Sequence, residues 1–401
     1  MSLLTYRDAR PWAKAIKAAV ATRRMPPWFV DLEWSAESQY GRFSNDRRLT
    51  DAEIGTLVAW ADQGAPEGLK KDAPPELRFQ NGWNIQPDVV VELPKPVSIP
   101  ATGTIHYKFI LVKTQFPADM WIEAAEMRPG NPRVLHHGKV WVRPPGSHWM
   151  KRATPGEAYE DETQPEVMGQ NRVAEGNEIL GKFNPGLGAQ RFDIDGAAKF
   201  VPKGSDLVFE LHYTAAGEPA TDVSKLGLVL AKHPPAARYV YLTGPSAYDL
   251  VIPPGDRNAE VVSEATVRAD VKLAYVQPHM HLRGKDYELR LISPAGVSET
   301  VFKGKFDFAW QLGYDFAKPI PLPAGTRVVG ISHFDNSANN RFNPDPSKEV
   351  RWGDQNWEEM SQAFLGVVMD VSTPPGSVLR LSEPSLWPLG KFWPTLGLRS
   401  R

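Results

Sequence analysis

Proline and glycine punctuate this chain from one end to the other. They account for 37 and 32 of its 401 residues. Proline removes a backbone donor and clashes with a preceding helical turn, and glycine weakens a helix interior. The runs between them are short and rich in Val, Ile, Tyr and Phe, which suit a pleated, half-buried surface. The pattern therefore predicts a mainly β protein with many turns. Strand composition marks Asp88–Leu93, Thr104–Lys113, Met120–Glu126, Val134–Val142, Leu207–Tyr213 and Leu226–Ala231. It then marks Tyr239–Leu242, Val261–Val267, Val271–Val276, Asp286–Ile292, Val301–Phe308, Arg327–Phe334 and Ala363–Val371. Residues 143–204 read as a long loop-rich insertion with short strands in it. The strands fall into two blocks, 88–237 and 238–401, each large enough for a β-sandwich with its own core.

The first 72 residues follow a different rule. Pro11 suits the first turn of a helix, with Trp12, Ile16 and Val20 at four-residue steps behind it. Met25-Pro26-Pro27-Trp28 breaks that helix. A second starts at Thr50, where Glu53 completes a capping box, and Gly64 is placed to stop it. The apolar faces of these helices need a partner, and the first sandwich is the expected one. Residues 73–87 form a polar, Pro-rich linker.

Net charge is −1, so nothing favours nucleic acid or an anionic membrane as partner. No apolar run has the length of a membrane span. Met1–Ala19 does not read as a signal peptide, because Arg7, Asp8, Arg10, Lys14 and Lys17 interrupt it. The chain has no cysteine. Disulfides, thiolate metal sites and Cys nucleophiles are thereby excluded, and any metal must be held by His, Met, Asp or Glu.

Histidine is the residue type that carries chemistry here. Five of the nine fall in three places: His136-His137, His212, and the pair in Gln277–Gly284 (QPHMHLRG). On a strand, residues two apart share a side, so His279 and His281 project together while Met280 faces the core. Adjacent His136 and His137 share a side only where the strand is bulged, twisted or ending. Each motif alone is also compatible with ordinary structural histidines. His106, His148 and His233 have no partner motif and read as structural or exposed. His333 reads as a satisfied core histidine or as a group supporting a nearby ligand.

Taken together, these residues resemble the copper type II, ascorbate-dependent monooxygenases, the family of the peptidylglycine α-hydroxylating and dopamine β-hydroxylating enzymes. The resemblance spans roughly residues 88–371. It implies two jelly-roll-like β-sandwich domains preceded by the small helical segment, each sandwich holding one copper ion. It assigns the first copper to His136, His137 and His212, the last in a His-Tyr context. It assigns the second to His279, His281 and Met360, the methionine following Glu359. Imidazole suits both copper states and a thioether favours Cu(I). The implied activity is hydroxylation of a C–H bond with O2 and ascorbate or a similar one-electron donor. O2 is activated at the His279/His281/Met360 centre, and the three-histidine centre supplies the further electron.

The resemblance stops short of the peptide substrate. The peptide-amidating members carry Arg, Asn and Tyr where this chain has Gln277, Gln362 and Phe364. The guanidinium fork that suits a carboxylate is missing, so these three positions are expected to line a pocket for a different small molecule. A second resemblance covers residues 1–72, which look like the end of a class I cytochrome c domain, with Met25 in the position of the haem-ligating methionine. CxxCH is absent, so no haem is expected in this chain. An upstream cytochrome c domain in a longer gene product and a periplasmic or secreted location would suit a bacterial form. Two other readings stand beside the enzyme: a non-catalytic copper-binding or electron-transfer double sandwich, and a zinc hydrolase, which a His/Met ligand set disfavours.

Overall fold

The computed structural model describes residues 3–73, 82–160, 176–353 and 355–381. Most of the expected 73–87 linker and the 382–401 end of the second block lie outside the described residues. The architecture is mainly β: two jelly-roll-like sandwiches preceded by a small helical segment. None of the described helices is long and apolar enough to cross a membrane.

In the first sandwich a five-stranded sheet runs Ala158–Glu160, Lys108–Val112, Asp206–Tyr213, Leu135–Arg143, Glu178–Phe183. It faces Val89–Glu92, Lys225–Leu230, Met120–Arg128 and Ala197–Val201, with Phe109, Val140 and Leu211 meeting Ile122 and Leu228 in the core. In the second sandwich, Ala237–Ser246, Gln362–Met369, Val271–His279 and Tyr314–Leu322 form one layer. The other runs Ser298–Lys305, Gly284–Ile292, Arg327–Phe334, Ala259–Val267, Leu379–Leu381. Ala259–Val267 alternates between buried and more exposed residues, as a strand with one wetted face must. Asp206–Tyr213 and Gln362–Met369 are buried at every position, so both of their faces are covered. The short strands of 143–204 include Glu178–Phe183 and Ala197–Val201, which are integral to the sheets.

The two cores are joined, where the sequence suggested separate ones. Ala197–Val201 pairs in parallel with Ala237–Ser246 through Ala237↔Ala197 and Arg238↔Ala198. One nine-stranded sheet thus passes through both sandwiches. Tyr239, Tyr241 and Tyr275 of the second block lie in the core of the first. Their rings pack edge to face, with centroids 5.3 Å and 5.5 Å apart.

The capping box is as expected: Thr50 Oγ1 accepts from Glu53 N and Glu53 Oε2 accepts from Thr50 N. The docking expectation is overturned. Helices Ala13–Ala21 and Asp51–Asp62 pack on each other, and Asp51–Asp62 buries no residue fully. The segment between them binds the second sandwich. Asp31 N donates to Lys303 O (2.9 Å) and Lys305 N to Phe29 O (2.8 Å), extending the edge strand Ser298–Lys305. Ser44 N donates to Asp315 O (2.8 Å) and Ala317 N to Arg42 O (3.0 Å), extending Tyr314–Leu322. Trp28 and Phe43 pack into that core beside Tyr314 at centroid distances of 4.9 Å and 5.7 Å. Two unpaired sheet edges, each otherwise open to aggregation, are covered in this way. Arg47 reaches across to Gly186 O of the first sandwich at 3.1 Å.

Candidate metal centres

His136 and His137 lie on Leu135–Arg143, and His212 lies near the end of the antiparallel strand Asp206–Tyr213. The register pairs His212 with His137, then jumps to pair Tyr213 with Leu135. His136 is therefore the extra residue of a bulge, and the bulge turns two neighbouring imidazoles toward one point. One ring nitrogen from each of His136, His137 and His212 lies within 4.8 Å of the other two. His212 Nδ1 faces His137 Nε2 at 3.1 Å. Tyr107 stacks on the His212 ring at 4.6 Å and places its hydroxyl 3.4 Å from His137 Nε2. His136 Nδ1 is buried without a hydrogen-bond partner among the described residues.

The second pair is built differently. The strand Val271–His279 ends at His279, so His281 already lies in the turn that follows. The two rings are nonetheless 5.4 Å apart, and Met280 is fully buried in the core, as alternation predicts. His279 Nδ1 donates to Gln311 Oε1 (2.7 Å) and His281 Nδ1 to Glu358 O (3.3 Å), roles that leave both Nε2 atoms as acceptors. Met360 is half-buried two residues before Gln362, which sits directly opposite His279 in the register. Gln362 Nε2 lies 3.6 Å from Met360 Sδ.

All five imidazoles are held below their ordinary pKa. Burial dominates throughout, and neighbouring histidines push the same way for all but His136. His279 falls to about 3 and His212 and His281 to about 4. They are neutral at physiological pH, the state in which a ring nitrogen offers its lone pair to a metal.

The two sets face each other. The ring of Phe308 stands 5.5 Å from His136 and 6.3 Å from His281. Phe308 was expected in a strand; the strand ends at Lys305, and Phe308 lies in the loop that also supplies Gln311. Both residues lack a motif and were not legible from sequence.

Gln277 and Phe364 are paired in register beside His279, and the Phe364 ring is 6.0 Å from the His279 ring. Gln277 Nε2 donates to Gln311 O (3.0 Å), and Gln277 Oε1 accepts from Lys182 Nζ (2.8 Å) and Tyr275 Oη (3.0 Å). Lys182, also missed, is 2% exposed and lies over the faces of Tyr241, Tyr275 and Phe364. Burial pushes its amine well below the usual lysine range; the aromatic faces oppose that trend by favouring the ammonium. Gln277, Gln362 and Phe364 are therefore all neighbours of His279. His333 bonds elsewhere: Nδ1 meets Asp286 Oδ1 at 2.6 Å and Nε2 faces Glu260 at 3.5 Å. Its partners lie on its own sheet.

No family profile and no curated protein matches the chain. Among solved structures it is similar to the major capsid protein P2 of bacteriophage PM2, at 10% identity over 71% of this chain and 98% of that one, with a TM-score of 0.31. It is also similar to PNGase F, a glycosylasparaginase from Flavobacterium meningosepticum, at 10% identity over 72% and 99%, with a TM-score of 0.29. A third is the infectious bursal virus T=1 particle protein, at 11% identity over 73% of each chain, with a TM-score of 0.22.

Proposed function

We propose that this chain is a copper-dependent monooxygenase that hydroxylates a C–H bond of a small molecule using O2 and a one-electron donor such as ascorbate. The observation that carries the reading is the pair of neutral imidazole sets meeting across Phe308. His136 Nδ1, buried and without a partner among the described residues, fits a metal ligand. An orphaned buried acceptor or donor otherwise costs about 1–3 kcal/mol. His136, His137 and His212 would hold one copper; His279, His281 and Met360 the other. A thioether is a soft donor and separates copper from zinc. Bound there, copper supplies one-electron and O2 chemistry.

The chain's own residues do the positioning. Gln311 and Glu358 fix the tautomers of His279 and His281. Tyr107 fixes the plane of His212. Gln362 and Phe364 flank His279 with one amide and one ring, a lining for a largely uncharged substrate, while Gln277 ties the Gln311 loop behind them. The same reading carries the expectation of a periplasmic or secreted setting.

Metal analysis and oxygen consumption test this together. The copper-loaded chain is expected to carry two coppers, following the two ligand sets, and to consume O2 with ascorbate in the presence of one member of a panel of aromatic, amine and peptide compounds. Two coppers without substrate-dependent uptake would leave a copper carrier; zinc retained in place of copper would favour a hydrolase.

Site independence gives a further expected result. His212→Ala removes one of three imidazoles from the first set and none from the second. Copper content should fall to about half that of the parent. Loss of both ions would show that the sites are occupied only as a pair.

A further inference from the structure

We propose that Glu359 is the positioning residue that locks His281 and Met360 into one unit, a role that rests on the copper reading above. The strand ladder does not reach His281, because it ends at His279. What holds the turn instead is a carboxylate that arrives from 78 residues away. Glu359 Oε2 accepts from His281 N at 2.7 Å and Oε1 accepts from Arg283 N at 2.7 Å. Met360 is the next residue of the chain. One side chain thus ties the backbone of both ligand-bearing segments.

Glu359 is itself fixed. Its side chain is fully buried, its N–H donates to Arg351 O and its carbonyl accepts from Gly353 N, each at 3.1 Å. It is not one half of an ion pair: among the described residues no cation lies within 4 Å of its oxygens. The buried guanidinium of Arg283 turns away, with Nε donating to Asn336 Oδ1 and Nη1 to Trp357 O, both at 2.9 Å. A fully buried carboxylate satisfied by backbone N–H groups fixes geometry, since both oxygens are committed to donors at defined points. Here those donors belong to His281 and to Arg283 two residues on, and Glu359 itself adjoins Met360 in the chain.

The test uses the full, copper-loaded chain and X-ray absorption of its reduced form, which reads a Cu–S contribution directly. Glu359→Gln keeps the shape but offers one acceptor oxygen, so its NH2 group confronts one of the two N–H donors. It is expected to retain copper at the three-histidine site, to lose the Cu–S signal, and to weaken Cu(I) binding at the second site by about 10–100-fold, as removal of a group that orients a ligand typically does. Glu359→Asp keeps both acceptors and is one methylene shorter; it should fold if Glu359→Gln does not, and should diminish the Cu–S signal. A parent without a Cu–S signal would sink the copper assignment at Met360, whatever Glu359 does. A parent with the signal and a folded variant that keeps it in full would overturn the role of Glu359 alone. Loss of copper from both sites in both variants would overturn it too, by showing general collapse.

Discussion

Met360→Leu is expected to abolish ascorbate-driven O2 uptake while leaving the fold and the copper at His136, His137 and His212 in place. The change removes a sulfur donor and keeps volume and apolarity. Met360 is half-buried, and a Met-to-Leu exchange usually costs under about 1.5 kcal/mol even in a core, so unfolding does not explain a loss of turnover. Met280→Leu is the matched control. Met280 is fully buried in the second core and packs so tightly on Gly284 that a Cβ there would lie 2.6 Å from the Met280 Cβ. Its replacement should lower stability modestly and leave turnover largely intact. Oxygen-electrode rates set beside thermal melts for both variants separate the two roles. Full activity in Met360→Leu with loss in Met280→Leu would reverse the ligand assignment and the facing of His279-Met280-His281.

What the sequence disclosed, and what it withheld, follows from the range of the interactions involved. Strands appeared as apolar runs between Pro and Gly because that signal is local, and the Thr50/Glu53 cap was readable because both partners lie within one helical turn. That His136 and His137 could share a side only at a bulge, a twist or a strand end was deducible, since adjacent strand residues face opposite ways; that it is a bulge opposite the His212/Tyr213 step was not. The docking of residues 28–44 was misjudged for a physical reason. Helix amphipathicity drew attention to faces that satisfy each other, whereas Trp28, Val30 and Phe43 sit in a Pro-broken stretch with no period to read. Phe308, Gln311 and Lys182 approach the histidines from distant segments, and no spacing rule links them to His136 or His279. Glu359 stood in plain view beside Met360, but only the folded turn shows that its oxygens reach back to His281 and Arg283.

Gly366→Ala is expected to be a strongly destabilising methyl addition at the junction of the two sandwiches. Gly366 lies on Gln362–Met369, opposite Tyr241 on one side and Tyr275 on the other. A Cβ there would stand 1.9 Å from Tyr239 Oη, 2.6 Å from its Cζ and 2.8 Å from Tyr275 Cβ. Neither ring has room to yield: Tyr239 is fully buried between Phe192 and Tyr241, with centroids 5.2 Å and 5.3 Å away. Overpacking of this kind costs about 1–3 kcal/mol, and the melting temperature should drop by several degrees. The strain should also reach the second candidate metal centre, because Tyr275 Oη donates to Gln277 Oε1, Gln277 Nε2 to Gln311 O, and Gln311 Oε1 accepts from His279 Nδ1. Copper binding at His279 and His281 should therefore weaken in the same variant. Gly55→Ala is the opposite control. It lies inside helix Asp51–Asp62 with no atom within 4 Å of its Cβ position, and alanine there should stabilise the helix by roughly 0.5–1 kcal/mol. If Gly366→Ala melted like the parent, the tyrosine seam would be loose enough to absorb a methyl group, and the two sandwiches would move as independent bodies around the histidines they share.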